Sequence, residues 1–369
     1  MIMTTPKGLE TIAEKVAANE RLTADEGLQL LETPHTEWLK QLADKKRKSV
    51  VGDTVYFSNT FYVHPTNLCE LSCPMCSFYA KPGWKKAWFD SPQVAEDKIR
   101  QAISQEKATQ EITEIHIVGG LWRDCSLEYY QDLFARIKNI DPNLHIKALT
   151  PVEYHFLSEL HGISVSEVLT RMMSYGLGSL PGGGAEILDE EIRKKIAPGK
   201  ITSDRYLEIH EIAHGLGLRS NITMLFGHIE ENHHIIQHLI KVRELQDKTK
   251  GFQTFVPLKY HVENNALGKR GKMLKPKDMK RVYAVSRLML DNVRNMKVLW
   301  NYLGLEEAQE ILCSGGNDLG STAIEEKVIT MAGGIKVKMT EETIQKMIEG
   351  IGRNPKKIHS GHRYELDYA

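Results

Sequence analysis

Three of the five cysteines in this 369-residue chain stand close together, Cys69, Cys73 and Cys76, in the run Asn67-Leu-Cys-Glu-Leu-Ser-Cys-Pro-Met-Cys-Ser-Phe78. Thiolates spaced C-x3-C-x2-C on one loop can converge on a soft metal centre. Three of them would leave one iron of a [4Fe-4S] cube without a protein ligand, open to a bound small molecule. A structural zinc site is an alternative, but it wants four ligands, and the nearest histidine, His64, lies five residues before Cys69. Inert packing is the third reading, and it fits three thiols in one proline-containing loop poorly. Cys125 and Cys313 are isolated and read as buried small side chains.

Further polar and glycine-rich motifs follow short β-type runs. Gly119-Gly120 closes one such run, either as a turn that needs positive φ or as a place where missing side chains let backbone approach a ligand. Gly182-Gly183-Gly184 resembles a phosphate cradle, but no Lys-Ser/Thr follows it, so Glu186 just beyond is the better candidate. Gly227-His228-Ile229-Glu230 closes another run. His233 and His234 are adjacent in a helical stretch, point different ways and read as solvated.

The elements that must position these groups alternate. Strand-like runs at 61–64, 115–118, 145–149, 178–180, 221–225, 254–258 and 298–300, with a weaker one near Ala323, are separated by amphipathic stretches. Seven or eight βα units argue for parallel connections and a closed (β/α)8 TIM-type barrel over residues 51–340, with the motifs above at its C-terminal mouth. Residues 1–50 read as a helical N-terminal appendage in which Thr23 and Glu26 have capping-box spacing. Residues 341–369 read as one more helix and a basic-aromatic tail ending Arg363-Tyr364.

With 48 basic and 48 acidic residues the formal charge is zero, so nucleic acid is not expected as the main ligand. No stretch of 18 uncharged apolar residues occurs, and no secretory leader opens the chain, which points to a cytoplasmic protein with no membrane partner.

C-x3-C-x2-C after the first barrel strand resembles the radical S-adenosylmethionine (SAM) superfamily. The resemblance implies a [4Fe-4S] cluster held by Cys69, Cys73 and Cys76, with SAM on the open iron. Two positions depart from the usual pattern: Met75 stands where an aromatic is common, and Gly119-Gly120-Leu121 stands where Gly-Gly-Glu is usual. The runs Gly178–Glu186, Ala213–Arg219, Thr223–Glu230 and Leu245–Asp247, with Gly251-Phe252-Gln253, are similar to the branch that makes menaquinone by the futalosine route and the deazaflavin precursor FO. Within it, Leu177-Gly178-Ser179-Leu180 and Gly227-His-Ile-Glu230 are most similar to the aminodeoxyfutalosine synthase family. The cyclic dehypoxanthinyl futalosine synthases typically read Asp-Ser-Ile at the first motif.

What the resemblance implies is a transferase that adds the 5′-deoxyadenosyl group of SAM to 3-[(1-carboxyvinyl)oxy]benzoate. A one-electron reductant such as flavodoxin or ferredoxin is its expected partner. Gly119, Gly120, Ser179, Glu186, Gly227 and Glu230 are then expected around SAM, and Glu186, His228, Arg123, His261 and Asn264 around the chemistry. A dianionic, partly aromatic substrate also asks for cations and a dry wall, for which Lys147, Lys259, Arg270, Tyr62, Trp122 and Tyr260 are candidates. The cyclic futalosine and FO synthases remain as enzyme alternatives, and an iron-sulfur electron carrier as the non-enzyme one.

Overall fold

The computed structural model describes residues 4–106, 110–271 and 274–358. Its strands are β1 (Thr54–Ser58), β2 (Thr60–Val63), β3 (Glu114–Ile117), β4 (His145–Ala148), β5 (Leu177–Leu180), β6 (Arg219–Phe226), β7 (Phe252–Lys259), β8 (Asn295–Met296), β9 (Asp318–Ser321) and β10 (Asn354–Lys357). β2 to β8 form one curled parallel sheet in chain order, and β10, β1 and β9 form a second parallel sheet. The two are stitched together at both ends. Asn317 N donates to Met296 O at 3.1 Å and Val298 N to Asp318 O at 2.6 Å, while Thr322 N and Ile324 N donate to Ser58 O and Thr60 O, each at 3.1 Å. β9 therefore spans the open side of the seven-stranded sheet and occupies the eighth position of the expected barrel.

Parallel strands covered by helices are buried on both faces, which is why these runs are rich in Ile, Leu, Val and Phe. The strand expected at 298–300 lies earlier, at Asn295–Met296. Trp300 instead begins a short helix, Trp300–Leu303, and its indole N–H donates to Ser321 O at 2.8 Å. β10 reads Asn-Pro-Lys-Lys and is half exposed at a sheet edge, so it carries no hydrophobic alternation to betray it.

The N-terminal helices are α1 (Glu10–Ala17), α2 (Ala24–Glu32) and α3 (Thr36–Val51), and the capping box expected at Thr23 and Glu26 starts α2. Leu30, Leu39 and Leu42 belong to the same core as Ile236, Leu288 and Met289 of the barrel helices, so the N-terminal helices are continuous with the barrel's packing. A helix, Glu341–Glu349, leads into β10, while Arg363-Tyr364 lies outside the described residues. No helix among the described residues is long and apolar enough to cross a membrane.

Candidate functional site

A cavity of about 350 Å³ occupies the barrel, within the range of small-molecule sites. Its upper wall carries Cys69, Cys73 and Cys76 together with Gly119, Gly120, Glu186 and Lys200.

The cysteine loop is held by backbone. Lys81 Nζ donates to the carbonyls of Cys69, Glu70 and Leu71 at 2.8, 2.8 and 3.1 Å, and Cys76 N donates to Cys73 O at 3.0 Å. Gly120 is required by closeness: a Cβ there would lie 2.0 Å from Leu68 O and 3.1 Å from the Cys69 Cβ. Neither Gly119 nor Gly120 has positive φ, so the turn reading of this pair is replaced by close packing against the loop. Gly119 N donates to Glu153 Oε1 at 3.0 Å, and Glu153 also caps the helix Pro151–His161 through Thr150. Burial pushes the Cys73 thiol up to about 11, although the Lys200 ammonium acts the other way, and burial raises Cys76 as well. Such thiols give up their protons to a metal centre rather than to water.

His64 cannot join them as a fourth ligand. Its Nδ1 bonds Val118 O at 2.9 Å and its Nε2 accepts from Lys327 N at 3.2 Å. Among the described residues no three His, Cys, Asp or Glu side chains converge tightly enough for a single metal ion. A cube needs no such convergence, because each thiolate takes a different iron. Three thiols on one loop, a fixed backbone and an adjoining cavity fit a [4Fe-4S] cluster with one open iron.

Glu186 faces the cysteines with Lys200, whose Nζ lies 2.5 Å from Glu186 Oε1. Burial works against the Lys200 ammonium, but Glu186 and the Cys73 sulfur outweigh it and keep it charged. Glu186 adopts a left-handed φ of 51° while its carbonyl accepts Leu225 N at 2.7 Å, so the backbone is held under strain at the cavity wall. Gly182 packs against β6, where a Cβ would meet Ile222 Cα at 2.7 Å, so the triple glycine serves a close crossing.

Other expected residues lie elsewhere. Ser179 is on the inner side of β5 but is spent on His145, Oγ to Nε2 at 2.7 Å, and does not line the cavity. Glu230 accepts Gly227 N and His228 N at 2.7 and 2.8 Å, and His228 is fully buried against Leu225 O and Ile229 N. Gly227, His228 and Glu230 thus build a rigid turn outside the cavity lining. Burial pushes the Glu230 carboxyl up, yet His228 and the backbone N–H groups hold it below the usual range. Arg123 has a side chain 74% exposed and pairs with Glu70 at 2.8 Å, because its turn faces solvent. Asn264 is exposed and bonds Met331 O, and neither Trp122 nor Arg270 reaches the cavity. Lys147, Lys259, His261, Tyr62 and Tyr260 do line it.

Sequence reasoning missed Lys200, Glu114, His116, Lys297 and Glu326. The only local signal was polar residues at alternate positions, Glu114-x-His116 and His145-x-Lys147, inside otherwise apolar strands.

Residues 63–242 match the Radical SAM superfamily, and residues 249–367 match the CofH/MqnC C-terminal region. The aminodeoxyfutalosine synthase of Streptomyces coelicolor is 36% identical, over 96% of this chain and 93% of its own. The chain belongs to the radical SAM superfamily. This radical SAM protein is also 36% identical to 5-amino-6-(D-ribitylamino)uracil–L-tyrosine 4-hydroxyphenyl transferase 1 of Methanosarcina barkeri, over 91% of this chain and 88% of that one. Its fold is that of methylornithine synthase, with a TM-score of 0.74, 14% identity and coverage of 94% and 97% of the two chains. Membership implies a [4Fe-4S] cluster and SAM, which the cysteine wall accommodates.

Proposed function

We propose that this radical SAM protein is an aminodeoxyfutalosine synthase of menaquinone biosynthesis. In the overall reaction SAM and 3-[(1-carboxyvinyl)oxy]benzoate give 6-amino-6-deoxyfutalosine, methionine and carbon dioxide or bicarbonate. The observation that carries this reading is the match to the Streptomyces enzyme over nearly all of both chains. The run Leu177-Gly178-Ser179-Leu180 adds to it.

The cluster, once bound by Cys69, Cys73 and Cys76 and reduced by a donor such as flavodoxin or ferredoxin, supplies the electron that releases the 5′-deoxyadenosyl radical from SAM. The chain's own residues bind and orient. Gly119 and Gly120, packed against the cysteine loop, present backbone to the cavity where the amino group of SAM would lie, and the Glu186–Lys200 pair offers one charge of each sign to its amino and carboxylate groups. Apolar side chains such as Val118, Val256 and Leu258 keep water from a radical in the cavity. His261, bonded through Nε2 to Tyr302 O at 3.0 Å, stands at the rim and contacts the substrate. The turn Gly227–Glu230 acts through backbone shape.

The likeness to the tyrosine 4-hydroxyphenyl transferase supports a second reading, in which L-tyrosine is consumed. Offering the reconstituted enzyme the vinyl ether, dehypoxanthinyl futalosine, and L-tyrosine with 5-amino-6-(D-ribitylamino)uracil in separate anaerobic incubations distinguishes the branches. Turnover of the vinyl ether alone is expected, and turnover of either other set instead overturns the assignment.

A further inference from the structure

Away from the cysteines the cavity ends on a polar floor built from inward side chains of three strands and the residue that follows β8. Tyr62 of β2 and His116 of β3 stack with ring centroids 4.7 Å apart and planes 21° from parallel. Lys147 of β4 lies 2.6 Å from Glu114, and Lys297, just after β8, lies 3.3 Å from Asp318. All four floor residues, Tyr62, His116, Lys147 and Lys297, line the cavity.

Two features make this floor more than barrel packing. Neither ring nitrogen of His116 has a hydrogen-bond partner among the described residues, although the ring is held in place by Tyr62 and opens on the cavity. Burial first, then the Lys147 ammonium, hold its pKa down to about 3, so at neutral pH it presents one N–H donor and one acceptor. The two lysines are the second feature. Each is paired with one acid, the partly buried Glu114 or the buried Asp318, which holds both cations in place before any ligand arrives; both lysines lower the His116 pKa and Glu114 raises it.

An aromatic platform, a fixed neutral donor and two ammonium groups together match one kind of ligand. We propose that this floor seats an aromatic carboxylate, with the ring packed on Tyr62 and His116 and the carboxylate accepting from His116, within reach of the Lys147 and Lys297 ammonium groups, which it would share with their acids Glu114 and Asp318. The inference rests on the reading of the substrate above and deepens it. The benzoate end lies on the floor, which leaves the vinyl ether end toward the cysteine wall.

The test is a binding titration of the reconstituted holoenzyme with 3-hydroxybenzoate and with 3-hydroxybenzamide. The acid should bind at least about tenfold more tightly than the amide, as charge-assisted hydrogen bonds do. His116→Phe keeps the stack and loses the donor. The pair Lys297→Met with Asp318→Asn removes the cation without stranding its acid. Each should bring the acid-to-amide ratio toward one, while SAM still perturbs the cluster's EPR spectrum. A ratio near one in the wild type, or an undiminished ratio in both variants, overturns the proposal. Vinyl ether turnover, followed alongside, keeps the two readings apart. A ratio that collapses in the variants of an enzyme that ignores the vinyl ether upholds the floor and overturns the assigned reaction. Turnover with a ratio indifferent to both variants does the reverse.

Discussion

The position a Cβ would take on Gly120 lies 2.0 Å from the carbonyl oxygen of Leu68, one residue before the first cysteine of the loop. The end of β3 and the cysteine loop are therefore in backbone contact, and no side chain fits between them. Gly120→Ala should displace the loop, at a cost of about 1 to 3 kcal/mol in stability. Iron and sulfide content after reconstitution should fall well below wild type. Full iron content in a folded Gly120→Ala protein would count against the packing argument.

The five thiols divide by position. Cys69, Cys73 and Cys76 line the cavity, whereas Cys125 is buried in the core around β2 to β5 and Cys313 follows the helix Leu305–Leu312. Cys73→Ala is expected to lose the cluster's visible absorption and all SAM cleavage, and Cys313→Ala to keep both. Loss of iron in folded Cys313→Ala would mean the ligands are misassigned.

Buried Glu186 and partly buried Lys200 make an ion pair beside the cysteines. Glu186→Gln should weaken SAM binding by about 1 to 3 kcal/mol, because a charge-assisted contact to the ligand is lost. Equilibrium binding of SAM to the reconstituted variant is the measurement. Unchanged affinity would assign the pair a purely structural role.

Burial pushes the Glu326 carboxyl up to about 7, with the backbone N–H groups of Ile329, Val328 and Thr330 acting the other way. Burial moves Glu153 in the same direction, also to about 7. A carboxyl whose pKa is higher in the fold than in the unfolded chain favours folding while it is protonated. That contribution is complete below about pH 4.5 and is lost as pH rises to about 7. Stability toward urea should fall across this window, and Glu326→Gln should remove its share, about 3 kcal/mol. An unaltered difference between the midpoints at about pH 5 and about pH 8 in that variant would contradict the burial argument.

What the sequence disclosed was local. The C-x3-C-x2-C loop, the order of the strands and the capping box at Thr23 all depend on neighbours a few residues apart. Ser179 lies on the strand its sequence predicts, yet its hydroxyl is spent on His145 of the adjoining strand. Arg123 follows the Gly-Gly motif directly, but the turn carries it into solvent. Lys200 escaped notice because it sits in an irregular loop and meets Glu186 only through the fold. Lys147 is legible in the sequence as a candidate cation, but Lys297, just after β8, is not, and the two share His116 only after the barrel closes. Partners set by barrel register leave no spacing in the chain to read.

The destination of the adenosyl group tests the assignment most directly. The reconstituted enzyme is incubated anaerobically with dithionite, the vinyl ether and SAM carrying an isotope label in its ribose, and the products are resolved by mass spectrometry. The label should appear in a covalent adduct that retains the adenine amino group, with 5′-deoxyadenosine only as a minor shunt product. Stoichiometric labelled 5′-deoxyadenosine with no adduct would contradict the assignment.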